Sequence, residues 1–299
     1  MSQKKLLFVF NPKSGMGLIK NNLLDIVDVM VKAGYEPTVY PTQARGDAIR
    51  KVKETGANYE RIVCSGGDGT LDEVVTGMVE ANLDIPLGYI PAGSTNDFAR
   101  TLGIPSDMVK AAEIAVGDHI FPCDVGQFSD DTFIYIAGFG LFTEISYDTP
   151  QELKNVLGHA AYILSAAKSL TAIPNYLMQV EANGQVIQDR FIYGMITNSI
   201  SVGGFKGLTG KDVELDDGEF EVTLIKSPDN PLELTEIIEY LTGIISETKM
   251  VYAFKSSEIS VRSRSSVSWT IDGENGGEHW NVKIQNLHKK LKILTKEDE

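Results

Sequence analysis

Arg61-Ile62-Val63-Cys64-Ser65-Gly66-Gly67-Asp68-Gly69-Thr70-Leu71 is the stretch that decides the fold. Its apolar start predicts a strand, its glycines a tight turn, and Leu71, Val74, Val75, Met78 and Val79 a helix opened by that turn. Strand, glycine-rich turn and helix, in that order, gather unpaired backbone N–H groups and the positive end of a helix dipole at one point. Such a point attracts phosphate. Three glycines allow positive φ and let a phosphate oxygen approach the main chain without meeting a Cβ. Asp68 is harder to read as packing. A carboxylate beside a phosphate is repulsive unless Mg²⁺ or another cation sits nearby, so the run points to phosphoryl transfer.

Upstream, residues 6–10 form a continuous apolar run, as expected of a strand buried on both faces. A helical pattern follows through Ile19, Leu23, Val27, Met30 and Val31, stopped by Gly34. A short strand at 38–40 and a polar helix at 47–55 complete the approach to Arg61. Downstream lie a strand at 87–90 and then Pro91-Ala92-Gly93-Ser94-Thr95-Asn96-Asp97. This alternation predicts an α/β domain with a doubly wound, largely parallel sheet. Residues 11–15, 42, 66–72 and 91–97 then fall in loops at the carboxyl edge of that sheet, in one cleft.

After about residue 125 short strand-like runs dominate: 132–137, 178–182, 186–193, 220–225, 258–261, 267–271 and 280–284. Asn183-Gly184 predicts a type I′ hairpin and Asp272-Gly273 a second turn. Regular short strands suggest a β-sandwich. Helical stretches at 151–170 and 232–246 interrupt it. The domains expected are 1–125, with 290–299 packing back on it, and 126–289.

The net charge of −14, from 27 basic and 41 acidic side chains, argues against a nucleic-acid partner and against binding an anionic membrane through overall charge. Cys64 and Cys123 have neither disulfide nor metal spacing, and His119, His159, His279 and His288 show no ligand pattern. No apolar stretch approaches a membrane span, and the N-terminal run lacks a cleavage pattern, so the reading is soluble and cytoplasmic.

Several motifs carry chemistry with a structural reading beside it. Asn11-Pro12-Lys13-Ser14-Gly15 suits a phosphate, with Lys13 as a mobile cation, and is also ordinary turn chemistry; Walker A spacing is absent. Asn96 and Asp97 are either helix N-caps or, with Arg100, the mouth of the cleft, where Asp97 helps order Mg²⁺-bound water. Asp124 is a third carboxylate or a turn former. Leu215-Asp216-Asp217-Gly218-Glu219 is a solvated turn or a hard-cation site. Ile271-Asp272-Gly273-Glu274 holds Glu274 on a glycine-flanked turn, where a carboxylate could serve as general base for transfer to a hydroxyl. Residues 157–170 read as a core helix or as an apolar wall for an acyl chain.

Together these motifs resemble the diacylglycerol kinase catalytic superfamily, most closely its soluble Gram-positive lipid kinases, nearly end to end. Gly-Gly-Asp-Gly-Thr alone is shared with NAD kinases and phosphofructokinases; Pro91–Phe98, Asp216-Asp217-Gly218 and Asp272-Gly273-Glu274 carry the narrower resemblance. The resemblance implies an NAD-kinase-like α/β domain and a C-terminal β-sandwich domain that binds lipid, with the active site between them. It implies ATP held by Asn11, Pro12, Lys13, Ser14 and Gly15, by Thr42, by Gly66, Gly67, Asp68, Gly69, Thr70, Leu71 and Asp72, and by Ser94. Ser94 stands where the family has Thr, and Asp72 where relatives often carry Asn. Glu274 is implied as the base, Asp68, Asp97 and Asp124 as organisers of a catalytic Mg²⁺, and Asp217 with Glu214 and Glu219 as ligands of a second Mg²⁺. The function implied is transfer of the ATP γ-phosphoryl group to the hydroxyl of diacylglycerol, giving phosphatidic acid. Alternatives are a kinase for another lipid, such as a sphingoid base or phosphatidylglycerol, and a non-catalytic lipid-binding regulator. The partners implied are a diacylglycerol-like lipid, transient contact with a membrane surface and a second copy in a homodimer. Phe139, Phe142 and Ile145 are candidates for the lipid groove.

Overall fold

Residues 6–10 are apolar without alternation because their strand is covered on both faces. In β1 (Lys4–Phe10), Leu6, Leu7, Phe8 and Val9 are fully buried. It pairs in parallel with β2 (Tyr35–Pro41) on one side and β3 (Arg61–Gly66) on the other. β3 pairs in parallel with β4 (Leu87–Pro91). The connections are α1 (Ile19–Lys32), α2 (Asp47–Thr55) and α3 (Asp68–Glu80), which bury Ile26 and Met30, Val52, and Leu71, Val74 and Val75 respectively. α4 (Asp97–Thr101) and α5 (Met108–Ala115) follow, the latter capped by the Asp107 carboxylate, which accepts the Val109 and Lys110 N–H groups at 3.0 Å.

The computed structural model describes residues 4–94, 96–141, 173–199 and 213–297. The chain divides into two compact units, Met1–Val125 with His288–Glu299, and Gly126–Leu287. Thr95, Phe142, Ile145 and the helix expected at 151–170 lie outside the described residues. The first unit takes in the end of β13 (Glu274–Leu294), where Ile293 pairs in parallel with Leu87 and Leu291, Ile293 and Leu294 are buried.

The second unit is antiparallel. β8 (Tyr176–Ala182) and β9 (Gln185–Thr197) form the hairpin expected at Asn183-Gly184, both residues at positive φ. β10 (Phe220–Lys226) lies between β9 and β11 (Val251–Ser256). β5 (Ile120–Phe128) pairs with β6 (Asp131–Phe133). Where the sequence suggests two stacked sheets, two long strands join the layers. β9 pairs with β8 through residues 185–191 and with β7 (Ile136–Gly140) through 193–197. β12 (Glu258–Ile271) likewise pairs with β8 through 259–263 and with β7 through 269–271. The change of partner follows an irregularity in β12, whose register against β13 shifts between Arg262 and Val267, a segment of serines and arginine.

Aromatic side chains fill this unit. Phe139 and Phe128 lie 4.9 and 5.0 Å from Trp269, ring centre to ring centre, and Phe133 packs on Phe220. Phe139 is fully buried in this cluster, so its expected place in a lipid groove is corrected to core packing. α6 (Pro231–Leu241), capped by Asn230 through the Leu232 and Glu233 N–H groups at 3.1 Å, packs Ile237 and Leu241 on Ile192, Tyr193, Met195 and Ile225. No helix among the described residues is long and apolar enough to cross a membrane.

Candidate active site

In the first unit the loops after β1, β3 and β4 are stitched together at the carboxyl edge of the sheet. The Asn11 N–H donates to Ser65 O at 2.9 Å, its Oδ1 accepts the Lys13 N–H at 2.9 Å, and its Nδ2 reaches Thr70 Oγ1 at 3.4 Å. Ser14 Oγ accepts the Gly67 N–H at 3.4 Å, and the Thr42 N–H donates to Phe10 O at 2.9 Å. Asn96 stands at the N-cap position of α4 with φ +50°, yet its side chain makes no cap bond. It turns back instead, accepting the Gly93 N–H at 2.9 Å and donating to Gly93 O at 2.8 Å. The buried Tyr89 hydroxyl, 3.2 Å from Gly66 O and 3.3 Å from Asn96 Oδ1, ties the β3 and β4 loops together.

The glycines serve this packing rather than positive φ. Gly66, Gly67 and Gly69 are all absent from the left-handed region, and Gly67 has φ −82°. A Cβ on Gly93 would stand 2.6 Å from Gly67 Cα, and one on Gly66 would strike the Thr70 side chain. The left-handed glycine of the site is Gly15, φ +53°, where a Cβ would collide with the Ala92 carbonyl. Gly15→Ala combines backbone strain with a clash against an immobile carbonyl. It is expected to lose roughly 2–4 kcal/mol of stability, measured by urea unfolding.

α3 begins at Asp68, and the Thr70 and Leu71 N–H groups bond Gly67 O at 3.0 and 3.1 Å. Leu71 is fully buried, so its side chain belongs to the core, while Ser94 and Lys13 are exposed and Asp72 lies partly buried on the next turn. Asp68 Oδ2 accepts the Asp97 N–H at 3.2 Å, and its buried Oδ1 has no hydrogen-bond partner. Burial above all, with the neighbouring Asp97 carboxylate, pushes Asp68 up to about 6, against the pull of the Asp97 and Phe98 N–H groups and Arg100. Asp97 is itself 4% exposed, and Arg100 Nη1 lies 3.9 Å from its Oδ1. The raised Asp68 carboxylate, its orphaned buried oxygen and the neighbouring buried Asp97 form an environment that fits a cation.

Asp124 is fully buried on β5, and its Oδ1 accepts the Lys289 N–H at 2.7 Å and lies 3.1 Å from His288 Nδ1. There it fixes a bend at Lys289, φ +52°. Glu73 carries no local sequence signal. Its carboxylate accepts the Gly46 N–H at 2.7 Å and the Ala48 N–H at 3.2 Å, capping α2 from α3 and steadying the loop after Thr42.

In the second unit, Asp272 and Gly273, at φ +47° and +81°, form the two-residue turn between paired Ile271 and Glu274. Glu274 is exposed. Asp217 Oδ1 accepts the Glu219 N–H at 3.0 Å, and its Oδ2 meets Lys255 Nζ at 2.7 Å. Lys255 also lies 3.4 Å from the buried Glu221, whose Oε2 has no hydrogen-bond partner; burial pushes Glu221 up to about 7. Lys255 and Glu221 are opposite each other across β10 and β11, a pairing with no local sequence signal. The surplus of negative charge beside Asp217 fits a cation, with Lys255 supplying part of it. No three His, Cys, Asp or Glu side chains converge as a ready metal cage among the described residues. A hard cation at either place would also draw on backbone oxygens, water or substrate phosphates.

A family model described as the diacylglycerol kinase catalytic domain matches residues 5–128. The diacylglycerol kinase of Bacillus subtilis (strain 168) is 35% identical over 281 residues, spanning 92% of this chain and 91% of that protein. The diacylglycerol kinase of Staphylococcus carnosus (strain TM300) is 33% identical over 299 residues, spanning 99% of this chain and 96% of that protein. The chain belongs to the diacylglycerol kinase family. A crystal structure of a diacylglycerol kinase from Bacillus anthracis str. Sterne superposes with a TM-score of 0.75 at 23% identity, covering 99% of this chain and 98% of that one. Another structure from that organism reaches a TM-score of 0.83 at 23% identity, with the same coverage. These two likenesses bear on the fold, which this member of the diacylglycerol kinase family shares.

Proposed function

We propose that the chain is an ATP-dependent lipid kinase that phosphorylates the hydroxyl of diacylglycerol to give phosphatidic acid. Membership of the diacylglycerol kinase family over nearly the whole chain supports a lipid kinase with ATP as phosphoryl donor. The observation that carries the reading is the half-buried Asp68 carboxylate, with one buried and orphaned oxygen, at the start of α3 and directly after the Gly66-Gly67 turn. A charge so placed costs stability unless a cation and phosphates complete the site.

In this mechanism the N-terminus of α3 and the Asn11–Gly15, Thr42 and Ser94 loops bind and orient the ATP phosphates. Asp68, Asp97 and Asp124 would hold Mg²⁺, and Asp217, with oxygens of Glu214 and Glu219, a second Mg²⁺. Bound Mg²⁺ supplies neutralisation of phosphate charge. The lipid hydroxyl oxygen forms a bond to the γ-phosphorus, the bond from that phosphorus to the β–γ bridging oxygen breaks, and ADP leaves. Glu274 takes the hydroxyl proton. The first unit is assigned as an NAD-kinase-like nucleotide domain and the second as a sandwich-type lipid-binding domain. Diacylglycerol resides in bilayers, so a cytoplasmic enzyme touching the membrane during turnover follows from the substrate, and a homodimer is proposed from the resemblance. The reading is tested by transfer of labelled γ-phosphate from ATP to diacylglycerol in mixed micelles. Sphingoid base and phosphatidylglycerol serve as rival acceptors.

A further inference from the structure

We propose that Asp272 is the positioning residue for Glu274, holding the turn that carries the base through a carboxylate buried beneath it. The proposal rests on Glu274 being the base. Asp272 is 5% exposed and adopts φ +47°, the left-handed conformation that an Asp-Gly type I′ turn requires. Its carboxylate accepts three successive main-chain N–H groups, those of Ile134 at 2.6 Å, Tyr135 at 3.1 Å and Ile136 at 2.9 Å. Its own N–H donates to Ile136 O at 2.9 Å.

These donors run from the bend between β6 and β7 into the first residue of β7, and the bend is held by other bonds as well. Tyr135 O accepts the Asn198 N–H at 3.0 Å and the hydroxyl of the fully buried Thr197 at 2.6 Å. From Ile271 back to Trp269, β12 pairs with β7. The ladder therefore fixes Ile271, the carboxylate fixes Asp272, and Gly273 alone separates that anchor from Glu274. A turn this short leaves the base little freedom that Asp272 does not control. Charge-assisted bonds to three N–H groups exceed what a capping turn requires, and no nearby helix terminus is served by them.

The test is a double-mutant cycle of Asp272→Asn and Glu274→Gln in the full chain, assayed well below the unfolding temperature of each variant. The amide has one acceptor oxygen, and it turns N–H donors toward N–H groups. Asp272→Asn is expected to lower kcat about 10²-fold, with KM for ATP within about twofold of wild type. It should not slow the Glu274→Gln enzyme further, because the position of an absent base does not matter. An equal further loss in the double variant would overturn the proposal, as would wild-type kcat in the single one. Amide hydrogen exchange at 271–277 is a readout that needs no activity. Faster exchange in Asp272→Asn supports the anchor, and unchanged exchange refutes it even if wild type phosphorylates no lipid, which would instead sink the kinase reading. Asp272→Ser replaces the Asn variant if the latter does not fold, and failure of both to fold would make Asp272 a folding residue only.

Discussion

Glu274→Gln is expected to lower phosphate transfer to diacylglycerol by about 10²–10⁴-fold, the range for loss of a general base. The substitution keeps side-chain size and removes the ability to take a proton. Glu274 is exposed, and its turn is fixed by Ile271 pairing and by the Asp272 carboxylate, so the near-isosteric change should leave the turn in place. Nucleotide binding should also persist, since the loops assigned to ATP belong to the other unit. The outcome is therefore a kcat defect with nearly unchanged nucleotide affinity, read by micelle kinetics and by titration of a fluorescent ATP analogue. Full activity in this variant would remove Glu274 from its role.

Asp68→Asn is expected to cost about 10²–10³-fold in kcat and, in the absence of Mg²⁺ and ATP, to make the protein more stable at neutral pH. The sign follows from proton binding. Burial and Asp97 raise the folded carboxylate from its ordinary 3.8 to about 6, so the folded state binds more protons than the unfolded state between those values. Stability contributed by this group consequently falls as pH rises through that window, and the full penalty is present above it. Relief of the penalty by the neutral amide is worth roughly 1–3 kcal/mol at pH 8 and almost nothing at pH 4, allowing for partial exposure. Urea titrations of both proteins at the two pH values check this. An Asn variant less stable than wild type at pH 8 would show that Asp68 is a structural anchor rather than a strained site.

The parallel sheet is legible because its inner strands β1 and β3 have no solvent face: residues 6–9 and 62–64 are fully buried, and continuous apolar runs follow. The Asn183-Gly184 and Asp272-Gly273 turns are legible because few residue pairs tolerate consecutive left-handed φ. β5 and β11 are less so. Pro122 and Asp124 interrupt the first, and the second shows no buried alternation. Strands β12 and β13 read as separate fragments because their irregular segments are polar, and the joining of the two layers depends on partner changes that no local pattern records. In the candidate site, the residues proposed to carry chemistry stand out as motifs, whereas their supports do not. Asp272 meets residues 136–138 positions away, Glu221 faces Lys255 across a ladder, and Glu73 caps a helix from its neighbour. The Gly66–Thr70 run illustrates the division. Its glycines are visible at once, but their reason is contact with Thr70 and with the Gly93 loop, which only the fold brings near.

The proposed movement of the ATP γ-phosphoryl group onto the hydroxyl of diacylglycerol is open to direct observation. The most direct measurement supplies ATP labelled at the γ-phosphate, Mg²⁺ and diacylglycerol in mixed micelles, then identifies the lipid-phase product by mass spectrometry. Labelled phosphatidic acid is expected from wild type, strongly diminished for Glu274→Gln. Consumption of ATP only with another acceptor, or none with any lipid that the protein binds, would contradict it.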